Sequence, residues 1–292
     1  MSETVFLNGE YVPAGDACIP VDDRGVLFGD GVFETLRAYR GRPFRLQRHL
    51  DRMAGACRTL RLELPYSKRE IAEAVNALIR ENGLSGNARV RITVTGGPSA
   101  GAKTLERGGT ACTFILARPY EPPPEDAYRE GISLVISDLR RNATSPLSTL
   151  KSSNLLDSLI ARQDAADRGA DDAVLLSPDG YLSEATTSNL FMVSGGSVLT
   201  PDATCGLLPG ITREAVIELC TGLGIPCAQV IAGPEDLLSA DEVFLTNSMV
   251  ELLPVREVAG QLVGACPGPV TERLSIAYRH LVARETGVGE ST

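Results

Sequence analysis

Apolar side chains return every second residue through some stretches of this chain and every third or fourth through others. VFLNGEYV reads as two short strands about an Asn-Gly turn, since Asn and Gly tolerate the positive φ of a tight hairpin. GVFETLRAYRGRPFRL repeats the device, with Arg40-Gly41-Arg42 as the turn. RLQRHLDRMAGACRTLRL then changes period and places Leu46, Leu50, Met53 and Cys57 on one helical stripe. SKREIAEAVNALIRENG predicts a second helix, capped by Ser67 and stopped at Gly83. ARVRITVTGG and ACTFILARPY predict strands, and the order β, β, α, α, β, β predicts a small α+β domain over residues 1–118.

PYEPPPEDA, residues 119–127, is proline-rich and acidic, which predicts an extended, stiff interdomain linker. Beyond it ISLVISD reads as a strand and NLLDSLIARQDAADRG as a helix ending at Gly169. DAVLLSPDGYLSEATTSNLFMVSGGSVLTP alternates like an antiparallel meander. ITREAVIELCTGLG is helical, VFLTNSMVELLPV is strand, turn, strand, and GPVTERLSIAYRHLVARETG closes helically. Residues 128–292 therefore form a larger domain of mixed α and β with mainly antiparallel strands, and the whole chain an α+β, two-domain molecule.

Composition narrows the function classes. With 292 residues, 43% hydrophobic and 22% charged, the chain suits a globular enzyme of two domains. A net charge of −9 argues against nonspecific nucleic-acid binding, which needs clustered cations. No run reaches membrane-spanning length and no secretory leader is evident, so no membrane partner and a cytoplasmic location are expected. Seven scattered cysteines without CxxC spacing, and only two histidines, His49 and His280, predict free thiols and no metal site.

Three local anomalies carry the chemistry. In TSPLSTLKSSNLLD, Lys151 is the one basic residue among hydroxyls and leucines; an ammonium that loses hydration there becomes a nucleophilic amine, whose natural partner is an aldehyde. Glu184 in GYLSEATTSNLF is a lone acid in a strand-like segment and needs a cationic partner. In LLPGITRE, Gly210 permits close backbone approach and the amides of Ile211 and Thr212 open a helix, where an anion such as phosphate is favoured. Each has an ordinary alternative: an exposed loop lysine, a surface acid at a strand end, a loop with a helix cap. Together, an aldehyde, a protonatable ring nitrogen and a phosphate are the handles of pyridoxal phosphate.

DRGVLFGDGVFE, RHLDRM, LKSSNLLDSLIARQDA, LSEATTSNLF, LLPGITRE and EVFLTNSMVELLPV, in this order over nearly the whole chain, resemble the successive motifs of the class IV, or fold-type IV, pyridoxal-phosphate aminotransferases. That family includes branched-chain aminotransferases, D-amino-acid transaminases and aminodeoxychorismate lyases. The resemblance implies that Lys151 forms the internal Schiff base and shuttles the substrate's α-proton, and that Glu184 holds the ring nitrogen protonated. It further implies phosphate contacts from Arg52, Ile211, Thr212 and Ser248, with Leu208 against one face of the ring. It places the cofactor between the domains, Arg52 coming from the first and the other contacts from the second, in a homodimer to whose neighbouring site Phe28 contributes.

The substrate is less determined. D-amino-acid transaminases typically carry an Arg-x-His pair after the VTxG strand, and TGGPSAGAKTL has neither residue. Arg89 and Arg91 stand two apart on a strand and share a face; either they hold a substrate carboxylate or they are solvated. Arg91 aligns with a substrate-side arginine of branched-chain enzymes, while Arg89 replaces their tyrosine. Phe28 and Phe33 are expected to line an apolar pocket. The expectation is ping-pong transamination between a branched-chain or other apolar L-amino acid and 2-oxoglutarate, the alternatives being an aminodeoxychorismate lyase releasing pyruvate and 4-aminobenzoate, or a D-amino-acid transaminase.

Overall fold

The structure, a computed structural model, describes residues 3–101 and 106–287. Two compact units result: unit 1 comprises Met1–Glu121, Leu150–Asn154 and Val282–Thr292, and unit 2 comprises Pro122–Thr149 and Leu155–Leu281. These bounds differ from the division at 118 and 128, because the segment around Lys151 and the C-terminal segment belong with unit 1. Backbone pairing accounts for the first difference. Phe33 N donates to Lys151 O and Ser153 N to Gly31 O, both at 2.9 Å, and Leu150 packs on the unit 1 core.

In unit 1, β1 (Thr4–Leu7) and β2 (Glu10–Pro13) flank Asn8 and Gly9, whose φ angles of 50° and 98° are what a two-residue hairpin demands. A short helix, α1 (Arg24–Phe28), precedes β3 (Gly31–Tyr39) and β4 (Arg42–Pro43), which turn at Arg40 and Gly41. Arg42, expected in that turn, already pairs with Tyr39. There follow α2 (Leu46–Thr59), α3 (Lys68–Glu81), β5 (Ala88–Thr95) and β6 (Cys112–Pro119). The helix α3 starts where Ser67 predicts: Glu70 N donates to Ser67 Oγ at 3.2 Å, and Ser67 N to the Glu70 carboxylate at 2.8 Å.

The unit 1 sheet runs β2-β1-β6-β5-β3-β4 with antiparallel neighbours throughout. Leu50, Met53 and Cys57 of α2 and Ile71, Val75 and Leu78 of α3 pack with Val32, Leu36, Val90 and Ile92. Strand alternation then turns Glu34, between Val32 and Leu36, toward the helices, and Phe33 and Arg91 toward the opposite face.

Unit 2 opens with a helix where an extended linker was expected. Pro119 ends β6, and α4 (Glu125–Glu130) begins after Pro124, its N-cap residue. Proline is tolerated at a helix start, and Glu125 and Asp126 place negative charge where the helix dipole favours it. The chain continues through β7 (Ile132–Arg140), α5 (Leu156–Asp167), β8 (Asp172–Leu176), β9 (Leu182–Ala185), β10 (Asn189–Ser194) and β11 (Ser197–Pro201). Next come α6 (Ile211–Leu223), β12 (Cys227–Val230), α7 (Pro234–Leu238), β13 (Glu242–Asn247), β14 (Glu251–Val258), β15 (Gln261–Leu262) and α8 (Pro269–Thr286).

The strands order as β12-β11-β10-β13-β14-β7-β8-β9, with β15 on β14. Pairing is antiparallel except at β11–β12, β14–β7 and β7–β8. The last strand, β9, also pairs back to β10, with Glu184 opposite Asn189. The strands from β10 to β9 thereby close into a ring, which removes the exposed edges an open sheet leaves. Leu182, Leu190, Met192, Val243, Leu245 and Val255 form its core.

Candidate active site

The residues singled out from the sequence fall into two groups, one in each unit. In unit 1 the backbone bonds to β3 fix Lys151, and its Nζ lies 4.8 Å from the centroid of the Phe33 ring. The Arg91 guanidinium carbon is 3.8 Å from the same centroid. Phe33 is buried, while Lys151 and Arg91 are half-buried, so one aromatic ring gathers two partly dehydrated cations. Arg91 has no carboxylate partner among the described residues; burial, and then the charge of Arg89, pull its pKa below the usual arginine value. Arg89 is exposed, and Phe28 on α1 is half exposed with the Arg24 guanidinium 5.1 Å from its ring.

On the helix side of β3 lies a cluster that the sequence reading missed. Glu34 accepts from Arg52 Nε at 2.8 Å and Nη2 at 2.7 Å, and its Oε2 is 2.7 Å from His49 Nδ1. Glu34 and His49 are buried. Burial alone would raise the Glu34 pKa, but the Arg52 charge and hydrogen bonds, helped by His49, bring it down to about 2. Burial pushes His49 below its ordinary value against the pull of Glu34, with Arg52 and Lys151 adding to the lowering. Neutral His49 therefore donates from Nδ1 to ionised Glu34. A signal existed: Glu34 is an acid on the apolar face of a strand, and His49 and Arg52 stand three apart on RHLDRM, on one helix face.

In unit 2 the seam of the ring holds the second group. Glu184 is buried; one oxygen lies 3.0 Å from Arg141 Nη2 and the other accepts from Leu208 N at 3.0 Å. Arg141 also donates to Gly206 O at 3.1 Å and Ser148 O at 3.0 Å, which holds the guanidinium in place. Asn189, across from Glu184, donates to Leu208 O at 2.8 Å. Leu208 is half-buried, whereas Leu207 beside it is fully buried. Arg141 and Asn189 were not anticipated; Arg141 lies more than forty residues from Glu184 and looks like its neighbour Arg140.

The start of α6 adjoins this seam. Ile211 and Thr212 are buried in its first turn, behind Gly210 as N-cap residue, with no side chain capping the amides. A Cβ on Gly210 would overlap Asn189 Oδ1, so glycine is required for this approach. Ser248 lies half-buried in the turn between β13 and β14, which Asn247 Oδ1 closes by accepting from Met249 N at 2.8 Å and Val250 N at 2.9 Å. Asn247 also donates to Ser188 Oγ at 2.8 Å, linking that turn to the strand pair of Glu184 and Asn189.

In unit 2 the carboxylate of Glu184, held by Arg141, and the uncapped amides of Ile211 and Thr212 suit the ring nitrogen and phosphate of pyridoxal phosphate; in unit 1 Lys151 offers an amine that suits its aldehyde. Thr246, directly across from Asn189, adds a buried hydroxyl without a hydrogen-bond partner among the described residues. Comparison with known proteins agrees. The family model for amino-transferase class IV matches residues 31–258. A branched-chain-amino-acid aminotransferase of Pseudomonas aeruginosa is 35% identical over 290 residues, 97% of this chain and 94% of that protein. The aminodeoxychorismate lyase of Bacillus subtilis is 33% identical over 279 residues, 94% and 93% of the two chains. The crystal structure of a T.th. branched-chain amino acid aminotransferase complexed with N-(5'-phosphopyridoxyl)-L-glutamate superposes with a TM-score of 0.90 at 31% identity, covering 98% of this chain and 95% of that one. Family model, relatives and fold agree, and the chain belongs to the class IV aminotransferases, enzymes that use pyridoxal 5'-phosphate.

Proposed function

We propose that this protein transfers the amino group of an apolar or branched-chain L-amino acid to a 2-oxo acid such as 2-oxoglutarate, by a ping-pong scheme with Lys151 as the catalytic residue. The observation that carries the reading is Arg91: a half-buried guanidinium on Phe33, in the group that contains Lys151, and without a carboxylate of its own among the described residues. A carboxylate of the substrate completes it. Arg89 adds positive charge beside it, and Phe33 and Phe28 give the apolar lining that suits an aliphatic side chain.

When bound, pyridoxal phosphate supplies an aldehyde for the amines and an electron sink for the charge that develops as the α-proton leaves. Lys151 Nζ would hold the aldehyde, and as a free amine it would take the substrate's α-proton as a base and return it as an acid. Glu184, oriented by Arg141, would hold the ring nitrogen by a hydrogen bond. The amides of Ile211 and Thr212, with Arg52 and Ser248, would hold the phosphate, and Leu208 would meet the ring. After the first oxo acid leaves, a second runs the same proton transfers in reverse.

The reading includes a cytoplasmic homodimer. Val26, Leu27 and Phe28 on α1 and Leu156, Leu159 and Ile160 on α5 are exposed apolar side chains of the kind that mark contact surfaces. Among the described residues no helix is long and apolar enough to cross a membrane.

A panel of half-reactions tests the assignment. L-leucine, L-isoleucine and L-valine are expected to bleach the cofactor's visible band, and D-alanine and (R)-amines to leave it. Bleaching by D-alanine alone would make the protein a D-amino-acid transaminase. Lys151→Ala is expected to retain cofactor through the phosphate contacts and to lose transamination; normal turnover in that variant would refute the role of Lys151. The likeness to the B. subtilis lyase supports a second reading. Release of pyruvate and 4-aminobenzoate from aminodeoxychorismate, with no amino acceptor added, would establish it.

A further inference from the structure

The face of the unit 1 sheet turned away from α2 and α3 carries a hydroxyl that the site described above leaves unused. On β5 the side chains of Val90, Ile92 and Val94 enter the helix-side core, so Arg89, Arg91, Thr93 and Thr95 share the other face. Thr93 is only 4% exposed, and its Oγ1 has no hydrogen-bond partner among the described residues. Other threonines of the sheet differ. Thr95 donates to Asp23 Oδ2 at 2.7 Å and accepts from Gly97 N at 3.3 Å. Thr113, also without a partner among the described residues, stands in line with Ile115 and Ala117 on the helix side.

The register sets Thr93 in the row that holds Lys151. Phe33 faces Thr93 across β3 and β5, and Phe114 faces it across β5 and β6. On the other edge of β3, the bridge between Val32 and Ser152 and the bond from Phe33 N to Lys151 O set Lys151 opposite Phe33. Lys151, Phe33, Thr93 and Phe114 thus stand side by side, with directly opposed Cβ atoms about 5 Å apart. Arg91 starts from the adjacent row, opposite Thr35 and about 7 Å along the strand from Thr93. Its guanidinium carbon is 3.8 Å from the Phe33 centroid, so ring and guanidinium meet between the two rows, on the side of Thr93.

We propose that the Thr93 hydroxyl is a substrate-binding group, which donates a hydrogen bond to the carboxylate that Arg91 holds. The inference rests on the proposed role of Arg91 and adds a second donor to it. A buried hydroxyl without a partner costs stability that valine, with the same branching, would not. The preference of strands for β-branched residues therefore does not account for threonine here. An incoming carboxylate does: Arg91 meets its charge, and Thr93 Oγ1 gains the acceptor it lacks. Two donors from different rows also fix the orientation of the carboxylate, which a single guanidinium on a long stem leaves freer.

The experiment titrates the pyridoxal-phosphate-loaded enzyme calorimetrically with 3-methylbutanoate, an unreactive branched-chain carboxylate, and follows thermal melts without ligand. Thr93→Val is expected to weaken 3-methylbutanoate about tenfold, the effect of losing one charge-assisted hydrogen bond, with a melting temperature equal to wild type or higher. Thr93→Ser, which keeps the hydroxyl, is expected to restore most of the affinity. KM for 2-oxo acids is expected to follow the same order, with kcat less affected. Thr93→Ala serves the same comparison where the valine variant folds poorly. Unchanged affinity in Thr93→Val beside weakened binding in Arg91→Gln would overturn this proposal alone, whereas unchanged affinity in both would remove Arg91 as the carboxylate site and the proposal with it. A lowered melting temperature in the ligand-free valine variant would show that the hydroxyl pairs within the protein, and would also overturn it.

Discussion

Glu34 is a buried carboxylate of unit 1 held by two polar side chains. Its carboxylate is buried between Arg52 and His49, and its pKa falls from 4.5 to about 2. A carboxyl depressed on folding adds stability above its unfolded value and loses it as pH falls through the folded one, here on the order of 3 kcal/mol between pH 4.5 and about 2. His49, also depressed, acts with the same sign: the unfolded chain binds its proton first, so stability declines once pH drops below 6.5. Thermal melts are therefore expected to fall from about pH 6.5 downward. Glu34→Gln, which removes the buried carboxylate that Arg52 and His49 meet, is expected to cost about 3–5 kcal/mol at neutral pH. An unchanged melting temperature in that variant would remove the cluster from the stability account. Arg91 makes a different case, because its guanidinium awaits an anion. Arg91→Gln is expected to raise KM for 2-oxo acids about tenfold or more with the melting temperature little changed, since a charge-assisted pair is worth about 1.5–3 kcal/mol. Steady-state kinetics with 2-oxoglutarate and a branched-chain oxo acid measure it, and an unaltered KM would sink the carboxylate role. Lys151 and Glu184 were legible as single charges among uncharged neighbours. Arg141 was not, because nothing in LRRN distinguishes it from Arg140, which donates locally to Ser137 O at 2.9 Å.

Among the elements, those whose cause is local could be read and those made by distant partners could not. The β1–β2 hairpin needs only Asn8 and Gly9, and α3 only Ser67 and Glu70. By contrast β7 lies parallel to both β8 and β14, the latter more than one hundred residues on, and a parallel neighbour leaves no separate mark on strand alternation. The short helix α4 hid behind three prolines, which forbid a helix interior but not a helix start. The start of α6 was legible as a turn-to-helix junction, though not the reason for its glycine, which is the Asn189 carboxamide fixed at Leu208 O. That reason yields a prediction. Gly210→Ala must displace Asn189 or the helix start, at about 1–3 kcal/mol. Weaker binding of pyridoxal phosphate is expected in a fluorescence titration, together with a lower melting temperature in the cofactor-free protein. Wild-type values for both would show that the approach tolerates a side chain.

At the scale of the whole molecule, the chain's return to β3 decides where the candidate catalytic amine lies. Composition could not mark the passage of Leu150–Asn154 into unit 1, because backbone hydrogen bonds carry no side-chain signature. Two such bonds hold Lys151: Phe33 N to Lys151 O, and Ser153 N to Gly31 O. The second can be removed without touching the lysine. Ser153→Pro deletes the donor to Gly31 O and is expected to cost about 3 kcal/mol, as proline does where a backbone donor is needed. Ser153→Ala keeps the amide and serves as the control. If backbone pairing positions the Lys151 amine, the proline variant loses most of its turnover and shows a shifted cofactor absorption band, while the alanine variant keeps both. Equal loss in the two variants would point to the Ser153 hydroxyl, and full activity in the proline variant would show that the Ser153 N bond to Gly31 O is not what positions Lys151.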